Sequence, residues 1–247
     1  MTEQKFFDVS QFSPEEGMLI CGISMSRISN VQSPEKYFEY LKHIGKKIVK
    51  TKGIGMNFWY ADYLYMHTEK ESPDILRDRF LGLMTQHKNG FLNILEKNLE
   101  WIPKAFSFTT FGQVYLDNSR IALEYFIELK KIYKNDLALQ KCVASDAGIS
   151  QKELSTGQAN FFLEESLLFY LASKGVLSLN NEFINHHEKW ILNCYPGKPL
   201  YTEVYIYKKN LFNLINSKNK YENHFYDLEE KKLYDLTKID IESFNFS

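Results

Sequence analysis

The chain has 247 residues, a length that one α/β domain can fill and that supports a sizeable core. Its 30 Lys and Arg against 31 Asp and Glu leave a formal charge of -1, which excludes a global basic field, so any nucleic acid must be met by a local patch. The three cysteines (Cys21, Cys142, Cys194) show no CxxC spacing and suit a reducing compartment, where they read as small hydrophobes. No apolar run approaches the roughly 20 residues of a membrane span and no apolar signal core is evident, so a soluble cytoplasmic protein is expected.

The segment before Gly17 is polar and reads as irregular. Met18 to Ile23 read as a buried strand, followed by a Ser- and Asn-rich loop from Ser24 to Gln32. Ser33-Pro34-Glu35 starts a helix with Tyr37, Leu41, Ile44 and Ile48 as its stripe, closed by Lys50 to Gly53. Gly55 to Ala61 read as a second buried strand, giving a right-handed βαβ unit. Ser72-Pro73-Asp74 caps a longer helix to about Leu99, and Lys104 to Thr110 form a third strand. Asp117-Asn118-Ser119 open a helix to about Tyr133, and another covers Leu137 to Ala147. Ser150-Gln151-Lys152-Glu153 has the capping-box pattern and starts a helix closed by Gly175. Val176 to Leu179 and Trp190 to Cys194 read as strands, and Leu200 to Leu214 as a helix. The tail beyond Ser217 is charged. No repeat or linker divides the chain, so one domain over 1–247 is expected, with 1–16 and 218–247 peripheral. Alternating strands and helices predict a mostly parallel sheet covered on both faces.

Three residues stand in chemically informative places. Ser24 ends an apolar strand, where open α/β folds present groups to ligands, although serines at strand ends are common. Gly22-Ile23-Ser24-Met25-Ser26 lacks the final glycine of a hydrolase elbow, and no Ser-Asp-His order follows. His186 and His187 have no marked acid, and as neighbours they point apart, so no metal site is expected. Glu165 lies four residues after Phe161 and three before Leu168, on an apolar stripe. It is either a half-exposed helix charge or a core-facing carboxylate in need of a cationic partner. Glu164 shares the other face with Asn160. Tyr195 closes an apolar strand just before Pro196, as packing or as a placed phenol.

Ser24, Glu165-Ser166-Leu167-Leu168-Phe169 and Cys194-Tyr195-Pro196, in that order and setting, resemble the cyclodipeptide synthases. Arg27 and Pro196 match the branch of that family marked by a variable residue and Tyr-Pro. Leu167 replaces a usual proline, and Phe161 a usual tyrosine. The resemblance covers about residues 18 to 205. It implies a single Rossmann-like domain akin to the catalytic domain of class I tyrosyl- and tryptophanyl-tRNA synthetases. It also implies two aminoacyl-tRNAs as substrates and partners, a diketopiperazine as product, and no cofactor. HIGH, KMSKS, Walker A and G-x-G-x-x-G signatures are absent, as pre-activated substrates allow.

The implied mechanism is ping-pong. Ser24 takes the first aminoacyl group, and Glu165 anchors its ammonium and can accept a proton. A second aminoacyl-tRNA brings the second residue and its amine, and the resulting dipeptidyl ester cyclises with Tyr195 relaying a proton. By position, Ile20, Gly22, Trp59 and Leu168 match the first side-chain pocket, and Phe169 and Pro199 match part of the second. Phe161 falls beside them. Trp59 is larger than usual there and predicts a small first residue. Arg27 and Lys198, near the second pocket's mouth, would favour an acidic side chain or meet tRNA phosphates. Arg77, Arg79, Lys88 and Lys97 follow the family's basic stripe, interrupted by Asp74, Asp78, Glu96 and Glu100. The competing reading is a non-catalytic Rossmann-like domain that binds tRNA or a nucleotide.

Overall fold

The computed structural model describes residues 16–45, 54–103, 105–179 and 190–241. The expectations for Ile48, Lys50 to Gly53, Lys104, His186 and His187 lie outside the described residues. Strands β1 (Gly17–Ile23) and β2 (Ile54–Tyr60) are buried at every position. Such runs suit parallel strands covered on both faces, and here they pair in parallel with Gly22 opposite Trp59. Strands β3 (Phe106–Thr110), β4 (Trp190–Tyr195), β5 (His224–Asp227) and β6 (Lys232–Asp235) complete one sheet in the order β3-β2-β1-β4-β5-β6. Only the β5–β6 pair is antiparallel among the described strands.

Helices cover both faces, as expected. Leu19, Cys21 and Ile23 of β1 point into one core with α1 (Pro34–Ile44) and α2 (Pro73–Glu96). Ile20 and Trp59 point into the other, with α3 (Phe111–Asp117), α4 (Ser119–Asn135), α5 (Leu137–Asp146), α6 (Thr156–Ser173) and α7 (Tyr201–Lys209). The alternation follows from the two-residue period of a strand. Cys21 and Cys194 meet across β1 and β4 with sulfurs 3.2 Å apart, both buried and free.

Several elements differ from the sequence reading. The α1 helix starts at the expected cap, where Ser33 Oγ accepts from the Lys36 amide, but Gly45 at φ 90° ends it early. The expected capping box at Ser150 closes a turn: Ser150 N and Oγ both donate to Glu153 Oε2. The helix begins five residues later, with a reciprocal box between Ser155 and Gln158. Val176 to Leu179 is not a strand. Ser178 gives its amide to Asn118 Oδ1 at 2.7 Å, and its carbonyl accepts from Asn118 Nδ2. A side chain thereby replaces a ladder partner. The α7 helix stops at Asn210, which takes a left-handed conformation. The tail set aside as peripheral supplies β5 and β6 and buries Asp227 fully.

Candidate active site

The sheet order reverses between β1 and β4. One runs on to β2 and the other away to β5, so a crevice opens beyond their carboxyl ends, where open α/β sheets bind ligands. A cavity of about 570 Å³ occupies this position. Its lining includes Ser24, Arg27, Phe161, Glu165, Phe169, Tyr195 and Lys198, all expected from the sequence. Ser26, Tyr65, Phe162, Asp146, Gly197, Leu200, Glu203 and Phe225 also contribute.

Ser24 follows β1 directly, and Gln32 fixes that strand end. Its side chain accepts from Ser24 N and donates to the Gly22 carbonyl, both at 2.8 Å, so the loop folds back on its own root. Tyr37 Oη donates to the same carbonyl. His87 pins the Gln32 carbonyl at 2.8 Å, and burial lowers the His87 pKa to about 4. Gly22 is needed for space. A Cβ there would lie 2.9 Å from Phe169 Cζ and 3.3 Å from Tyr195 Cδ2.

The residue nearest the Ser24 hydroxyl is one that sequence reasoning missed. Tyr65 Oη lies 2.7 Å from Ser24 Oγ and also donates to Ser26 Oγ at 3.1 Å. It sits on a short 3-10 turn, Tyr63–His67, between β2 and α2. Two contacts dock this turn on α6. Gly157 lets the helix approach the His67 carbonyl so closely that any Cβ would clash, and His67 Nε2 bonds Glu164 Oε2 at 2.7 Å. Glu164 therefore faces inward and is buried, not solvated beside Asn160. Tyr65 also meets Phe161 edge-on at 5.3 Å between ring centroids. Tyr65 thus brings a phenol beside Phe161 at the cavity wall.

Glu165 is half-buried at the cavity wall. Burial and the charge of Asp146 raise its pKa to about 8, against a smaller opposing pull from Arg27. Asp146 caps α7, accepting from Tyr201 N, Thr202 N and Thr202 Oγ1, and burial still raises its pKa to about 7. Burial and Glu165 hold the Tyr195 phenol protonated, and the Arg27 guanidinium lies 5.7 Å from its ring centroid. A neutral carboxyl, two phenols and a serine hydroxyl share one cavity at neutral pH. This set can shuttle protons at an ester without a histidine.

Other expected residues lie elsewhere. Ile20, Trp59, Leu168 and Pro199 are buried but do not line this cavity. Trp59 stacks on Phe169 at 5.7 Å and meets Phe111 edge-on, so it backs the wall from the core side. Gly22 touches the lining only through the space it leaves. On α2 and its cap, Arg77 pairs with Asp74 and Asp78, Arg79 with Glu71 and Glu69, and Lys88 lies over the Phe108 ring. The first half of that stripe is neutralised locally, and Lys97 stays exposed. Among the described residues no helix is long and apolar enough to cross a membrane.

No family model and no curated protein matches the chain. Solved structures do. A cyclodipeptide synthase (CDPS) from Fluoribacter dumoffii aligns at TM-score 0.55 and 12% identity, over 81% of this chain and 87% of its own. A CDPS from Staphylococcus haemolyticus aligns at 0.51 and 12%, over 88% and 89%. The likeness is one of fold. A Mycobacterium tuberculosis protein, described as relating cyclodipeptide synthetases to type I tRNA synthetases, aligns at 0.47 and 12%, over 74% and 73%.

Proposed function

We propose that this chain makes cyclic dipeptides from two aminoacyl-tRNAs through an aminoacyl-Ser24 intermediate. The observation that carries the reading is the convergence of Ser24, Glu165 and Tyr195, from β1, α6 and β4, on one cavity at the switch point. The fold shared with two CDPS structures supports it.

Ser24 Oγ attacks the ester carbonyl of the first aminoacyl-tRNA. A new ester bond forms, the bond to the ribose oxygen breaks, and that oxygen leaves with a proton. One ester replaces another, so no ATP is required, and orientation supplies much of the rate. The hydrogen bond from Ser24 to Tyr65 gives the leaving proton a first acceptor or relay. Two amine attacks on the two remaining esters then form two amides and release two alcohols, and the second closes the ring. Each amine must lose a proton as its bond forms. Tyr195 stands at the cavity wall to pass that proton to the departing oxygen.

Glu165 holds the first α-amino group. Its carboxyl has a raised pKa. A cation arriving beside it favours the carboxylate and lowers that pKa, so substrate entry charges the anchor. The exposed Arg27 and Lys198 at the cavity suit the ribose-phosphate end of a tRNA. The experiment is to mix the protein with aminoacyl-tRNA and weigh it intact. An aminoacyl mass on wild type, absent from Ser24→Ala, supports the reading. Binding without acylation would leave the non-catalytic alternative.

A further inference from the structure

The cavity is more acidic than one aminoacyl anchor requires. Besides Glu165, its lining holds Asp146 from the end of α5 and Glu203 from the first turn of α7. Asp146 is committed to capping α7. Glu203 is not. It is 2% exposed, and its Oε1 is buried without a hydrogen-bond partner. An orphaned buried carboxylate oxygen forfeits the hydrogen bonds it would make in water. An apolar residue would avoid that cost, so the oxygen calls for a donor.

Among the described residues none supplies one. Among the described residues, neither Arg27 nor Lys198 forms an ion pair with these carboxylates. A metal ion is a poor occupant, since no group of three or more acidic, His or Cys side chains is disposed to hold one among the described residues. The first substrate's α-ammonium accounts for Glu165 alone. The first α-amino group is held at Glu165, and both α-amino groups must be neutral when they attack, so neither brings a lasting positive charge to Glu203.

We propose that Glu203, backed by Glu165 and Asp146, forms a subsite for a basic side chain, so that one of the two joined residues is lysine or arginine. The proposal rests on the cyclodipeptide reading above. Phe161, Phe162 and Phe169 share the cavity, and their rings suit the aliphatic stem of such a side chain while its head reaches the carboxylates. Burial and the nearby charges of Glu165 and Asp146 push the Glu203 carboxyl well up, and a cation beside it favours the carboxylate. Of the two roles open to Arg27 and Lys198, favouring an acidic side chain or meeting tRNA phosphates, this proposal keeps the second. Those cations are exposed, whereas Glu203 is buried and Glu165 and Asp146 are half-buried.

The test is mass analysis of cyclic dipeptides released by cells producing the wild-type chain and Glu203→Gln. Wild type should release products containing lysine or arginine, and which of the two separates an ammonium from a guanidinium site. Glu203→Gln should lower the basic share at least tenfold relative to neutral products, with melting confirming its fold. Wild-type products with neutral side chains only would overturn the subsite and leave the synthase reading intact. So would an unchanged basic share in a folded Glu203→Gln. No cyclic dipeptide together with no acylated Ser24 would overturn both. The wild-type profile decides the substrate class even if the variant fails to fold.

Discussion

The hydroxyl of Ser24 lies 2.7 Å from that of Tyr65, a residue 41 positions along the chain on a 3-10 turn. The serine is therefore held by a phenol, where a hydrolase would use an imidazole. Tyr65→Phe removes only the oxygen. We expect Ser24 acylation to slow about tenfold, the upper worth of one neutral hydrogen bond at ~1.5 kcal/mol, with aminoacyl-tRNA binding unchanged. Single-turnover acylation and a filter-binding assay separate the two effects. Equal loss of both would make Tyr65 a packing residue.

Glu165→Gln keeps shape and removes the charge that pairs with an ammonium. Cyclic dipeptide output should fall about 100-fold or more. Unfolding temperature should hold or rise, because a half-buried carboxyl beside other acids has been replaced by a neutral amide. Output near wild type would remove Glu165 from its role.

Gly157 touches no reacting group, yet it sets where Tyr65 stands. A Cβ at this position clashes with the His67 carbonyl, which is backbone and cannot swing aside. Gly157→Ala should cost about 1–3 kcal/mol by overpacking and should slow Ser24 acylation more than Tyr65→Phe does. Urea unfolding and acylation rates measure the two consequences. A stable variant with normal acylation would show that α6 and the turn adjust independently.

Trp59→Ala tests the revised place of the indole. Packed between Phe169 and Phe111 and fully buried, Trp59 should cost about 3–5 kcal/mol on truncation without admitting bulkier substrates. A folded variant with a broadened product range would return Trp59 to the pocket.

Much of the sheet was readable because β1, β2 and β4 are short apolar runs with turns at their ends, and Ser24 ends the first of them. The Glu165 face was also legible, from its spacing to Phe161 and Leu168. Tyr65 was not, because its position depends on Gly157 and the His67–Glu164 pair, contacts about 90 residues apart that leave no local period. Glu203 hid for a similar reason. It looks like an ordinary first-turn acid, and only the docking of α7 buries it. The capping box was displaced because Ser150 and Glu153 satisfy the pattern within a turn. The last strands were missed because four-residue, charge-rich segments carry little alternation. Their place depends on Asp227, which accepts from the amides of Gly197, Glu229 and Glu230.

The acidic wall gives a pH signature. The Glu165 and Asp146 pKa values, about 8 and about 7, exceed their unfolded values, so the folded state binds more protons. Their stabilising effect is complete below the unfolded pKa values and is lost as pH rises through the folded ones. His87 acts oppositely below its unfolded pKa, because the buried neutral ring must charge. Unliganded protein should therefore lose stability from about pH 6.5 to 8, by at most about 1.4 kcal/mol per pH unit for each proton released. Asp146→Asn and Glu165→Gln should each flatten the slope in urea unfolding. A stability that rises across this window would contradict the raised pKa values of these carboxyls.

The central claim is that Ser24 carries an aminoacyl group. Intact-protein mass spectrometry after mixing with single aminoacyl-tRNAs, one amino acid at a time, followed by peptide mapping, reads this directly. The account predicts an aminoacyl adduct on the peptide containing Ser24, absent from Ser24→Ala and lost when a second aminoacyl-tRNA is added. Cyclic dipeptide formation by Ser24→Ala, or an adduct on any other residue, would contradict it.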